Sequence, residues 1–167
     1  LPILLIASFF TIGLMTLVGN LQPYLFNAVL HVPFSEQGRL GGNLASLNEI
    51  MFLIVASVVG AASDKVGRRS IYALGFIVMA LAYVLYPLAT DPAHLYATRI
   101  LFAVGAACVS AMIAAIIADY ATESARGKLV GICFFLNGIG VATLVVFGGR
   151  LPKLVESLGA DPVWAAR

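Results

Sequence analysis

Charge is what this sequence lacks most. Only 11% of its 167 residues are Asp, Glu, Lys or Arg, against about 25% in an ordinary soluble domain. So few charges cannot cover a water-facing surface, which excludes a soluble globular fold. Lipid is the solvent that suits a chain 61% hydrophobic with mean hydropathy +1.00. The formal net charge of +2 is too small to hold a nucleic-acid backbone. There are two histidines, His31 and His94, isolated in separate loops, so no metal-spaced pair exists. The two cysteines, Cys108 and Cys133, lie far apart inside apolar runs and read as small packing residues, neither a disulfide nor a metal site. A Gly-rich phosphate loop with its Lys and a nucleophile–base arrangement are both missing. No enzyme chemistry and no cofactor are expected.

What is present is a series of apolar runs long enough to cross a bilayer, which takes about 17–25 residues. The expected spans are residues 2–30, 36–63, 70–88, 93–120 and 128–147. The first run has neither a basic leader nor a small-residue cleavage site and is read as a mature helix, not a signal peptide. Ser35 is the expected N-cap of the second span, and Pro87 with Thr90-Asp91-Pro92 closes the third. Gly148-Gly149 and Pro152 close the fifth, followed by a polar tail, Arg150 to Arg167. Tyr72 and Tyr120 are placed near one interface, Tyr86 and Tyr96 near the other. Five spans, and a start in apolar sequence at Leu1 without Met, lead to the expectation of a fragment clipped at both ends.

The segment Gly60-Ala61-Ala62-Ser63-Asp64-Lys65-Val66-Gly67-Arg68-Arg69 is expected to be a polar hinge between two of these spans. Gly60 would allow close approach of a neighbouring helix, and Gly67 would supply the freedom to reverse direction. Lys65, Arg68, Arg69, Arg126 and Lys128 fall on one side of the bilayer and Arg39, Arg150 and Lys153 on the other. The slight excess in short loops favours the first side as cytoplasmic.

The spacing Gly60-x-x-x-Asp64-Lys65-x-Gly67-Arg68-Arg69 resembles the loop signature between the second and third spans of the major facilitator superfamily. The string Arg99-x-x-x-Ala103-x-Gly105-x-Ala107 is similar to that superfamily's fourth-span signature, with alanines where glycine often stands. Asp119, followed by Arg126-Gly127 at the opening of the fifth span, fits the same pattern. The resemblance implies an all-α integral membrane bundle, of which residues 1–167 form a partial amino-terminal six-helix half. The sixth span and the carboxy-terminal half would be missing. It also implies a cytoplasmic amino terminus, with the chain in a bacterial inner or plasma membrane. A charge cluster of Asp64, Arg68 and Asp119 would latch the cytoplasmic side, with Gly60 facing the opposite half. For Arg99 the resemblance implies substrate or proton coupling; the residue alone equally allows snorkelling or a structural pair. The fifth span has Gly138 and Gly140 but no proline, unlike the Gly-Pro-rich motif of the superfamily's drug–proton antiporters.

Polar residues inside the spans are the candidate site. Glu49 lies near the middle of the second span, and Gly42, Ala56 and Gly60 fall within about 20° of it on the helix wheel. A carboxyl on such a face points at protein or a water cavity, because facing lipid costs several kcal/mol. It is either a protonatable coupling group, a counter-ion for a cationic substrate, or a hydrogen-bonded pin between helices. Gly13, Thr16, Asn20, Tyr24 and Asn27 share one face of the first span, with Gln22 about 160° from Asn20. That face is either a cavity wall or an interhelical hydrogen-bonding surface. Asn137 reaches mid-membrane depth in the fifth span. In the fourth, Ala103, Ala107, Ala111, Ala115 and Ala106, Ser110, Ala114, Ala118 form two small-residue stripes suited to close helix packing. The expected function is a secondary active transporter moving a small solute by alternating access, as symporter or antiporter, coupled to a proton or other ion. The alternative is a non-transporting membrane sensor or assembly protein.

Overall fold

The computed structural model describes residues 2–120, 126–151, Leu154 and Ser157. Among the described residues there is no strand. Five long helices follow one another: α1 Pro2–Ala28, α2 Phe34–Val66, α3 Arg68–Leu85, α4 Pro92–Tyr120 and α5 Arg126–Gly148. A single 3-10 turn, Tyr86–Leu88, extends α3. All five are long and apolar enough to cross a membrane, as the apolar runs require. The polar tail lies largely outside the described residues, as do Ala121 to Ala125 between α4 and α5.

The connections are shorter than the sequence suggests. The expected ten-residue polar hinge is a single residue: α2 continues to Val66 and α3 starts at Arg68. Backbone hydrogen bonding explains this. Each residue added to a helix closes one more backbone bond, and Gly67 is the only strong helix breaker between Ala61 and Arg69, so both helices run up to it. Gly67 makes the reversal at φ 94°, ψ 133°, and its N–H closes on the Ser63 carbonyl at 3.0 Å. Ser35 is not the N-cap of α2. The helix begins one residue earlier at Phe34, Pro33 occupies the cap with no side-chain hydrogen bond, and its carbonyl accepts from Glu36 and Gln37. Side-chain capping occurs instead at α4, where the Asp91 carboxylate accepts the His94 N–H at 2.8 Å. Pro92 opens that helix, where its missing N–H costs nothing.

Helix α4 is the centre of the bundle and packs along α2 and α3, while α1 packs along α5. Small residues set both close crossings. A side-chain carbon on Gly105 would stand 2.7 Å from the Met79 nitrogen and 2.8 Å from the Gly75 carbonyl oxygen. On the other side, one on Gly140 would collide with the Phe9 carbonyl, and one on Gly13 would meet Leu144 at 2.6 Å. Ala103, Ala106 and Ala107 of the α4 stripes are buried, whereas Ala114 and Ala118 are exposed. The stripes therefore pack helices only over the part of α4 nearer Arg99. Cys108 and Cys133 are free and buried among apolar side chains.

Two α3 tyrosines tie α1 to this centre. The Tyr83 hydroxyl donates to the Leu14 carbonyl, and the Tyr72 hydroxyl shares a 3.1 Å hydrogen bond with Thr11. Tyr86, expected at the interface, is instead buried in the core with Leu95 and Phe102. The 3-10 turn winds the chain inward there before Ala89, itself fully buried.

Candidate functional site

Two separate groups emerge from the residues singled out by sequence. The first is a cleft of about 470 Å³ between α1, α2 and α4. Asn20 and Thr16 come from α1, Asn48, Glu49 and Phe52 from α2, and Arg99, Phe102 and Ser110 from α4. Asn20, Glu49 and Arg99, distant in sequence, thus face one space.

Arg99 is the most constrained group in it. Only 7% of its surface is exposed, and Nε and Nη1 are buried with no hydrogen-bond partner. Its guanidinium carbon sits 5.7 Å from the centroid of the Phe102 ring, a cation–π contact worth about 0.5–2 kcal/mol depending on desolvation. Phe102 is held in turn by an edge-on contact with Tyr83 at 5.8 Å. Arg99 therefore does not snorkel. Glu49 is exposed, takes a 3.4 Å hydrogen bond from the Asn48 amide, and makes no ion pair with Arg99. The Asn48 carbonyl oxygen is buried and unpartnered. Asn48 and Phe102 were not singled out in the sequence. Their positions beside Glu49 and one helical turn after Arg99 were the signal available.

The α1 polar face divides. Thr16 donates to the Ile12 carbonyl at 2.9 Å, and the Asn20 amide donates to the Thr16 carbonyl at 2.9 Å, so both are satisfied locally while lining the cleft. Gly13 serves the α5 crossing instead. Asn27 turns to the α1–α2 connection, accepting from the Gln37 amide at 2.9 Å. Tyr24 is half-buried and does not line the cleft. Asn137 is also outside it, buried on α5 with an unpartnered carbonyl oxygen.

The second group is at the Gly67 end. Arg68 donates to Asp119 at 2.5 Å and to the Ala115 carbonyl at 3.3 Å, which joins α3 to the end of α4. Its side chain is 36% exposed and that of Asp119 54%, so the pair contributes about 0–1 kcal/mol. Asp64 and Lys65 are exposed at the end of α2, and Asp64 is outside the Arg68–Asp119 pair. Arg69 lies at a groove with Tyr72 and Ile3, and Arg126 is exposed at the start of α5. Gly60 is exposed, and none of the described residues comes within 4 Å of where its side chain would be. The close approach expected there has no partner among the described residues.

Five membrane-length helices enclosing polar and charged side chains define a multi-pass integral membrane protein. The chain belongs to the Major Facilitator Superfamily, whose sequence profile matches residues 4–164. Magnetosome protein MamH of Paramagnetospirillum magneticum is 29% identical over 83% of this chain and 34% of its own length. Multidrug resistance protein 2 of Bacillus subtilis is 28% identical over 84% of this chain and 36% of its own. Citrate exporter 1 of Aspergillus niger is 32% identical over 69% of this chain and 23% of its own. The chain thus spans between about a quarter and a third of the length of these curated relatives.

Proposed function

We propose that this chain is the amino-terminal part of a secondary active transporter that moves a small solute by alternating access, coupled to a proton or other ion. The observation that carries the reading is the cleft. It sets a carboxylate and a guanidinium without an ion-pair partner among the described residues, from different spans, around one space of mixed polar and apolar lining. Ionisable groups inside a membrane bundle are costly and mark solute or ion pathways. The contact pattern supports it too. The pairing of α1 with α5 repeats that of α4 with α2, as internal three-helix repeats of secondary transporters do.

In this reading the Gly67 end is cytoplasmic, and Arg68 with Asp119 is the closed element of a latch that Asp64 joins from α2. The exposed face of α2 carrying Gly42, Gly60 and Glu49 meets the rest of the transporter. Two relatives are named as a citrate exporter and a riboflavin transporter, which supports transport, while others are named for multidrug resistance or as magnetosome proteins, so the names share no cargo.

The test uses proteoliposomes loaded with a pH-sensitive dye and challenged with a panel of organic anions, cations and neutral solutes. A transporter coupled to protons changes the lumenal pH with at least one of them. Glu49→Gln should abolish that coupling while solute counterflow persists. Full coupling in the variant would remove Glu49 from the mechanism, and silence across both dye and counterflow assays would refute transport.

A further inference from the structure

The cleft also carries information on what it accepts. Arg99 is more than nine-tenths buried, lines the space, and its Nε and Nη1 are without an acceptor. No carboxylate among the described residues lies within ion-pair distance of it. A charge desolvated inside a bundle is stable only when paired and hydrogen-bonded. The Phe102 ring stabilises the cation from one side but accepts no N–H bond in the plane of the guanidinium. That plane presents a fork of donors matched to a carboxylate.

Across the same space stand acceptors: the buried, unpartnered Asn48 carbonyl oxygen and the exposed Glu49 carboxylate. The neighbouring Thr16 and Asn20 have already spent donors on α1 carbonyls. The unmet demands are therefore for an anion at Arg99 and a hydrogen-bond donor at Asn48 and Glu49. We propose, resting on the transporter reading above, that the cleft takes a small carboxylate bearing a donor on the adjacent carbon, a 2-hydroxy or 2-amino acid. Its carboxylate pairs with Arg99 and its hydroxyl or ammonium faces Asn48 and Glu49. A lipophilic cation would satisfy Glu49 alone and leave the guanidinium unpaired.

Binding is read as thermal stabilisation of the full-length protein in detergent, using a thiol-reactive dye that reports exposure of Cys108 and Cys133. Ligands that bind only the folded state raise the melting temperature in proportion to the logarithm of their concentration over Kd, so probes are used at about 10 mM. The probes are L-lactate, citrate, L-alanine, propionate, methyl lactate and tetraphenylphosphonium. At least one of the first three should stabilise the protein. Propionate, which lacks the donor, should bind at least about tenfold more weakly, and methyl lactate, which lacks the carboxylate, should do nothing. Arg99→Gln should lose the shift and Arg99→Lys should keep part of it. An L-alanine shift that is lost in Glu49→Gln identifies an ammonium as the donor; a shift with L-lactate or citrate and none with L-alanine identifies a hydroxyl.

No shift from lactate, citrate or alanine overturns the proposal, as does a shift that survives in Arg99→Gln. If tetraphenylphosphonium alone binds, the carboxylate proposal falls while the transporter reading stands. The liposome assay decides that reading separately.

Discussion

Gly105→Ala tests whether the α3–α4 crossing is set by bare backbone. The added carbon would lie 2.7 Å from the Met79 nitrogen and 2.8 Å from the Gly75 oxygen, whereas ordinary contact begins near 3.4 Å. The obstacles are main-chain atoms of a neighbouring helix, so no side chain can swing aside and α3 must retreat by about 0.7 Å, the difference between 3.4 and 2.7 Å. Overpacking of this kind costs about 1–3 kcal/mol. Against it stands the helix-propensity gain of about 1 kcal/mol for replacing glycine by alanine. Gly131→Ala isolates that gain, because Gly131 is exposed and nothing stands within 4 Å of the new carbon. The stability difference between the two variants should then be about 1–3 kcal/mol, a shift of roughly five- to over one hundred-fold in the unfolding constant. Titration with SDS in mixed micelles measures it. The thiol dye supplies a local readout, because Cys108 lies at this crossing, 2.8 Å from where a Gly75 side chain would be. Equal stability of the two variants would refute the idea that Gly105 fixes the helix separation.

Gly67→Ala should destabilise the α2–α3 turn by about 1–3 kcal/mol, since φ 94° with ψ 133° is open to glycine alone. Gly67→Asn should rescue nothing, because that ψ lies outside the left-handed helical region Asn tolerates; SDS titration of both variants checks this. Tyr83→Phe removes the hydroxyl that donates to Leu14 and should cost about 0.5–1.5 kcal/mol, with unchanged stability showing the bond to be idle. Asp64→Asn should cut solute uptake while membrane insertion and the melting temperature stay level, because Asp64 is exposed and outside the Arg68 pair. Normal uptake by that variant would count against a latch.

Helix number and class were readable from hydropathy, because a bilayer demands long apolar runs and forbids loops inside them. Where the helices end was less readable. The polar stretch from Ala61 to Arg69 looks like a loop to any rule based on polarity, yet backbone hydrogen bonding winds all of it except Gly67. Glu49, Arg99 and Asn20 were individually conspicuous as polar residues within apolar runs. Their convergence on one cleft was not, since it depends on α2 and α1 both lying beside α4. Asn137 carried the same local signal as Asn20 and is elsewhere, on the α1–α5 side. Tyr86 was misplaced because an aromatic near a span's end usually faces the interface, and only the 3-10 turn after Leu85 carries it inward. The Gly75–Gly105 crossing was hidden for a further reason: a glycine's neighbours across an interface leave no trace in its own sequence.

The one-residue link at Gly67 has a mechanical consequence. Two free torsions join a 33-residue rod to an 18-residue one, so the junction behaves as an elbow without slack. At 1.5 Å per residue α2 is about 50 Å long, and a rotation of about 5° at Gly67 sweeps its far end through about 4 Å. Glu49, about 22 Å nearer the tip than Asp64, would move by about 2 Å in such a rotation; the Arg68–Asp119 tie anchors the other arm to α4. A torsional change at this single glycine would therefore be magnified along α2 to ångström scale at Glu49, and the packing of α2 along α4 is what opposes it.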